Sequence, residues 1–580
     1  MSAGAENLQF IYEPVRLFQK QFRDRHAATV SACFEELVKR SGVSAEGNAA
    51  TVSDLRQQEE QLRQVTARNN RKKFWRGMAI FFAVLCLLII AAMALADAEA
   101  LPLTVTARVV TAVLCAATAI FLFVKIIPGL SKQIAELNTV SASLQKQINE
   151  LTALAWRQME PLNKLYEWNL APRLFSQTLP LVGMDAWFDA GRMDFLSRRF
   201  DWSPSADNQS TLAVQSGELQ GNPFVFAAAV SQEWSEETYY GELNISWMET
   251  VTDADGKRRR VRRYETLRAS VTAPKPFYLE QTRLFYGNDA APDLSFSRHA
   301  GRAHELSERQ RKNKIADGER KLEAMTRDAI KRGGEFLDMT NKEFDVLFNA
   351  LDRDHQQQFR LLFTPLAQKE MARLLTDSAV GFGDDFEFTK ARRLNIITPA
   401  HLQALDFTPN PARWQRYSLE EARKFFNDYH NDYFRRIYFS FAPLLVIPLY
   451  QQQRPPEHIY QEVWVHRLAP REHEAAANSL GDKRFAHPLS VTRNILKTRA
   501  IAADERRESL TVTAHGFVGE PRRTYVETFG GDGRWHDVPV DWIEYIPVAR
   551  ESSLHIEHPR ADAALSPSAV HRYKDFKLTL

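Results

Sequence analysis

At 580 residues the chain is too long for one hydrophobic core, so two or more domains are expected. Its 25% charged and 44% hydrophobic residues are those of a folded protein, and a net charge of +3 excludes a general nucleic-acid binder, leaving local patches as the electrostatic route to a partner. The three cysteines are Cys33, Cys86 and Cys115; from Lys125 onward there is none, which excludes disulfides, cysteine-ligated zinc and a cysteine nucleophile from the larger part of the chain.

Over residues 1–49, Ile11, Val15, Phe18 and Phe22 share a helical stripe, followed by Val30, Phe34 and Leu37. This predicts a small helical segment docked on a neighbouring element. The run Met78–Ala96 is uncharged for 19 residues, about 28 Å of helix and close to a bilayer's hydrocarbon thickness. A second uncharged run, Val109–Val124, reaches Ile127 if Lys125 snorkels. Leu101-Pro102 marks a turn between them, and the pair predicts a transmembrane hairpin, spans about 78–96 and 109–127. Two buried core helices are the alternative, but they need a core that surrounds both.

Arg63, Arg68, Arg71, Lys72, Lys73 and Arg76 precede the first run, and Lys125 and Lys132 follow the second, whereas the connecting loop has only Arg108. By the positive-inside rule both termini are cytosolic. After the second span Ile134, Leu137, Ser141, Leu144, Ile148, Leu151, Ala155, Gln158, Leu162 and Leu165 alternate three- and four-residue steps, an a/d heptad seam. Val52, Leu55, Glu59, Leu62 and Val65 repeat it more poorly before the first span. Residues 50–166 are therefore read as a hairpin extended into an antiparallel coiled-coil stalk. Ordinary amphipathic helices, or an intermolecular stalk that makes a homo-oligomer, stay open.

Residues 167–300 read as β-rich: TLAVQSGEL, NPFVFAAAVSQEW and TYYGELNISWMETV, the last paired across Asp253–Gly256 with a strand in which Val261, Leu267, Ala269 and Val271 share one face and Arg258, Arg260, Arg262 and Arg268 the other. Residues 301–440 read as helical, with a capping box at Thr340/Glu343, a start at Thr364-Pro365 and a cap at Ser418/Glu421. Residues 437–450, with Pro443 and Pro448, suit a buried strand or turn rather than a third span. Residues 441–580 return to strands: IYQEVWVHRL, SLTVTAHGFV, RRTYVETF and DVPVDWIEYIPV, the last two meeting at Gly530–Gly533. The two β-rich segments form separate domains or halves of one sheet. The whole is an α+β membrane protein.

Site chemistry is sparse. Gly381-Phe382-Gly383 lacks a third glycine, and Asp253–Gly256 fails as a calcium loop because Val251 and Arg262 stand at ligand positions. His555, Glu557 and His558 do not have zincin spacing, so surface histidines are expected. No catalytic residue, metal or cofactor is implied.

Lys257, Arg258, Arg259, Arg260, Arg262 and Arg263 form the densest basic cluster, a candidate electropositive patch. Glu242, Glu249 and Glu265 are near enough in sequence to offset it. A straight helix over Gly129–Tyr166 is about 57 Å long, against a Debye length of about 8 Å, so an upright stalk keeps this patch from lipid. The cluster reads either as a solvated hairpin with no partner or as a binding patch, and any partner it has is then an acidic protein surface, with no nucleic acid expected.

Four stretches, GELQGNPF (217–224), YGNDAAPDLSFSR (286–298), FRLLFTPLAQKEM (359–371) and FAPLLVIPLYQ (441–451), together with the upstream hairpin, resemble a family of uncharacterised bacterial membrane proteins with a two-helix transmembrane hairpin and a large cytosolic domain. The resemblance implies a bacterial cytoplasmic membrane and no activity. The expected function is that of a membrane-tethered cytosolic interaction or scaffold protein. An enzyme of unrecognised type, or a lipid-binding or membrane-remodelling protein, are the alternatives.

Overall fold

The structure, a computed structural model, describes residues 10–95, 105–203, 206–252, 258–406, 408–453, 467–504, 506–558 and 572–580. It is an α+β protein with two long apolar helices followed by a region rich in antiparallel sheet. The chain divides into two compact units.

The smaller unit comprises Ala32–Tyr166 and Ala412–Asn427. Helix Ala45–Leu95 runs for 51 residues, and helix Ile127–Asn163 continues from Val105–Phe121 through one π turn. Both are long and apolar enough to cross a membrane, by length and composition, and only 11% and 6% of their most apolar windows are buried. Beyond the apolar runs the helices lie side by side. Hydrogen bonds join Asn48 to Gln158, Thr51 to Gln158, Asn69 to Asn138 and Lys72 to Gln133. One partner's number falls as the other's rises, so the helices are antiparallel. Val52, Leu55, Ile134, Ile148, Ala155 and Leu162, all from the heptad pattern, are buried. Phe34 packs at a tilt on Phe426 within this unit, at 5.3 Å between ring centres.

The larger unit comprises Met1–Ser31, Glu167–Pro411 and Asp428–Leu580. Its strands are β1 (Val182–Met184), β2 (Gln209–Leu219), β3 (Asn222–Thr252), β4 (Arg258–Gly287), β5 (Ser295–Arg298), β6 (Phe386–Ala391), β7 (Leu394–Pro399), β8 (Ile495–Ala503), β9 (Arg507–Phe529), β10 (Trp535–Glu557), β11 (Arg572–Tyr573) and β12 (Phe576–Thr579). They build two antiparallel sheets, ordered β1-β2-β3-β4-β7-β6-β5 and β11-β12-β10-β9-β8. The two β-rich segments are thus separate sheets within one compact unit.

Several expectations are corrected. The two segments predicted between Asn222 and Val251 are one 31-residue strand, β3. Ser235-Glu236-Glu237, between the two predicted segments, has no Gly, Pro, Asn or Asp to reverse the chain, and its polarity reflects exposure. SLTVTAHGFV and RRTYVETF likewise merge into β9. Inside the stretch predicted helical, β6 and β7 pair around a turn with Arg392 at φ 56°, and β7 joins β4 in the first sheet. The run 437–450 is buried as predicted but is helix through Leu445. Asn341, not Thr340, caps Lys342–Phe348, its side chain accepting from the Phe344 amide at 3.1 Å. Thr364 and Ser418 do cap their helices. IYQEVWVHRL lies outside the described residues up to position 466.

The N-terminal stripe Ile11, Val15, Phe18 and Phe22 enters the main core of this unit, where Phe18 packs on Tyr438 and Phe439. The four stretches that carry the resemblance also meet in that core. Phe224 lies 4.9 Å from Phe441, and Phe296 lies 5.6 Å from Phe359 and 6.0 Å from Phe363. The Asn288 amide donates to the Tyr450 carbonyl at 3.1 Å, and the Tyr450 hydroxyl to Asn395 at 2.5 Å. What these stretches share is packing with buried polar pairs.

Candidate interaction surface

β2 accompanies β3 only as far as Ser231, and β7 accompanies β4 only over Leu284–Gly287. Beyond those points β3 and β4 continue as a two-stranded ribbon of about 65 Å at about 3.3 Å per residue. β9 and β10 form a second ribbon beyond His515, about 45 Å by the same rise. Prolines stud the free edges, Pro274 and Pro276 in β4, Pro521 in β9, Pro539 and Pro547 in β10. Each removes a ladder donor and so discourages edge-to-edge pairing with another chain.

The ribbons pack face to face. Gly241 of β3 sits so close to β10 that a Cβ there would come within 2.0 Å of the Pro539 carbonyl oxygen. The Gly531 amide donates to Glu265 at 2.7 Å, and Trp234 packs edge-on to Phe517 at 5.1 Å. Leu267, Ala273, Val538 and Val540 are buried between the ribbons; of the apolar face predicted for β4, Leu267 is buried, Ala269 and Val271 are half-buried, and Val261, nearer the turn, is exposed.

Register then sorts the basic cluster. Arg258, Arg260 and Arg262 stand opposite Thr252, Thr250 and Met248. They share the outward face with Tyr240, Tyr264 and Met248, which are 78%, 74% and 58% exposed. Arg259 and Arg263 point to the other face, and Lys257 lies outside the described residues. The predicted charge compensation is partial. Glu242 pairs with Arg268 at 2.9 Å and Glu249 with Arg263 at 2.8 Å, whereas Glu265 is engaged by Gly531. Arg258, Arg260 and Arg262 make no ion pair among the described residues. The flanking tyrosines escaped the sequence reading, although their even-numbered spacing with the arginines already carried the signal.

Other ionisable groups are built into the fold. His555 and Glu557 share one face of β10 and His558 lies just past its end, but each is engaged by a different partner. His558 Nε2 lies 2.8 Å from Glu508, His555 Nδ1 3.0 Å from Ser509 Oγ, and Glu557 pairs with Lys577 at 3.1 Å. His473 Nε2 meets the other Glu508 oxygen at 2.7 Å, so His473 is buried rather than on the surface. Burial alone would raise the Glu508 pKa, but hydrogen bonds from both histidines and the Leu468 amide outweigh it and hold the carboxyl at about 2. Lys390 is buried with its ammonium donating to the Ala290 carbonyl at 3.0 Å, and desolvation lowers its pKa to about 7. Among the described residues no three His, Cys, Asp or Glu side chains are arranged to hold a metal ion.

A cavity of about 500 Å³ opens beside β2 and the loop after β7, lined among others by Trp168, Gln281, Gln403 and Ser479. Its carboxylates are Glu280, already paired with Arg493, and Asp406, so no acid–base pair converges there. The outward basic and aromatic face of the first ribbon therefore remains the strongest candidate site in the larger unit. Comparison of the chain with protein-family models, curated proteins and solved structures finds no match.

Proposed function

We propose that this chain is a membrane-tethered interaction protein, its apolar helices crossing a bacterial cytoplasmic membrane as a hairpin with both termini cytosolic, and its large α+β unit docking an acidic protein surface. The observation that carries the reading is the outward face of the β3–β4 ribbon. Three arginines that make no ion pair among the described residues, flanked by exposed tyrosines, sit at the exposed end of a strand pair that packs farther along on a second ribbon. A rigid basic surface with aromatic neighbours suits recognition of carboxylate-rich protein surfaces, because guanidinium groups bind carboxylates bidentately and tyrosines add contact area at little entropic cost. Antiparallel packing of the long helices supports a coiled-coil stalk within one chain.

A photo-crosslinking residue at Tyr240 or Tyr264 of the full membrane-embedded chain should yield one discrete protein adduct, lost when Arg258, Arg260 and Arg262 become glutamate. Adducts to lipid would instead favour the lipid-binding reading. A fragment starting at residue 167 is unsuitable, since it lacks Ile11, Val15, Phe18 and Phe22 of the core. Topology is read separately: a membrane-impermeant thiol reagent should label Cys33 only in opened cells, and a cysteine placed at Ala98 in intact spheroplasts.

A further inference from the structure

The smaller unit holds a groove that the interaction reading does not use. Arg68, Arg71, Lys72 and Trp75 line one wall, and Leu130, Gln133, Glu136, Leu137 and Val140 the other, enclosing about 710 Å³. The spacings explain the walls. Residues 68, 71, 72 and 75 step by three, one and three along helix Ala45–Leu95, and 130, 133, 137 and 140 step by three, four and three along Ile127–Asn163. Each set is therefore one helical stripe. Two hydrogen bonds hold the walls in register, Lys72 Nζ to Gln133 Oε1 at 2.6 Å and Asn69 Nδ2 to Asn138 Oδ1 at 2.7 Å.

We infer that this groove is a binding site for the headgroup of an anionic phospholipid in the surrounding bilayer. The inference rests on the proposed membrane crossing of the two helices. Three cationic side chains against the single carboxylate of Glu136 leave two net positive charges in the groove. Trp75, Lys72 and Arg71 fall about 5–10 Å beyond the end of the first apolar run at 1.5 Å per residue, the depth of lipid headgroups, and Arg68 one turn farther out. Arg71 and Lys72 would meet the phosphate, and Trp75 with Leu130 the glycerol and first acyl methylenes, as amphipathic indoles do at this depth. Basic pockets between helices at the cytosolic interface select anionic headgroups by this chemistry.

The test is native mass spectrometry of the full chain in non-ionic detergent, titrated with phosphatidylglycerol and, in parallel, phosphatidylcholine. The wild type should retain phosphatidylglycerol with a preference of about thirtyfold over phosphatidylcholine, and millimolar inorganic phosphate should not displace it. The triple variant Arg68→Gln, Arg71→Gln, Lys72→Gln should lose that preference, while Arg68→Lys with Arg71→Lys keeps it. A control of equal charge, Arg63→Gln, Lys73→Gln, Lys132→Gln, changes residues that do not line the groove and should bind like the wild type. Equal loss in the control would show diffuse surface attraction and overturn the site, as would unaltered binding in the groove variant. Recovery of the chain in the soluble fraction without detergent would overturn the membrane crossing itself and the site with it. Membrane retention without a lipid preference would overturn the site alone.

Discussion

The two ribbons of the larger unit differ in what they do with charge. Each is a long antiparallel pair that packs on the other along part of its length. On β9–β10 the arginines are matched, Arg522 with Glu544 and Arg523 with Asp541, both at 2.6 Å, and the exposed large residues include Tyr525, Phe529 and Trp535. On β3–β4 the outward arginines near the turn face Thr252, Thr250 and Met248 across the pair, and Glu249 and Glu265 lie on the other face, engaged by Arg263 and Gly531. Nothing in folding requires unmatched like charges at adjacent same-face positions, where they repel. The second ribbon pairs its charges within itself, and the first carries exposed arginines without an ion pair among the described residues.

The sharpest way to break this comparison is to separate the ribbons. Val540→Asp places a charge in the buried layer between them and should cost about 4 kcal/mol, exposing both ribbons to protease. Unaltered proteolysis would mean that the ribbons stand independently. The root of the second ribbon comes next. Glu508→Gln weakens two charge-assisted hydrogen bonds and should cost about 2 kcal/mol by urea unfolding at pH 7. The Glu508 carboxyl has a folded pKa of about 2, below its unfolded value of about 4.3. Its contribution is therefore full above pH 4.3 and is lost as pH falls toward 2, so the gap between wild type and variant should narrow across that window.

Charge reversal addresses the outward faces themselves. Arg258→Glu, Arg260→Glu, Arg262→Glu should abolish the protein adduct formed from Tyr264 without moving the thermal midpoint, because the side chains are exposed and make no ion pair among the described residues. Reversing Arg522 and Arg523 should leave the adduct intact; equal loss from both would erase the distinction between the ribbons. The smallest effect is salt. Raising ionic strength from about 0.05 to 0.5 M shortens the Debye length from about 14 to 4 Å and should weaken partner capture by the first ribbon. Salt-independent capture would shift the recognition from the arginines to the tyrosines.

Local pattern determined a good deal about this protein. The two uncharged runs, the helical stripe that buries Ile134, Ile148, Ala155 and Leu162, the caps at Thr364 and Ser418, the hairpin turn at Gly530–Gly533 and the shared face of Arg258, Arg260 and Arg262 were all legible, because each depends on neighbours within a turn or two of chain. Periodicity states which side of an element is buried and is silent about what buries it. Only the tertiary structure decided that β4 packs on a ribbon some 270 residues away in sequence, that Ile11 and Phe18 close the main core, and that Glu508 is held between His473 and His558. The same limit made β3 look like two strands and hid β6 and β7 within a helical stretch: a polar ribbon resembles a turn, and a short strand gains its stability from partners such as β4 that no local window contains.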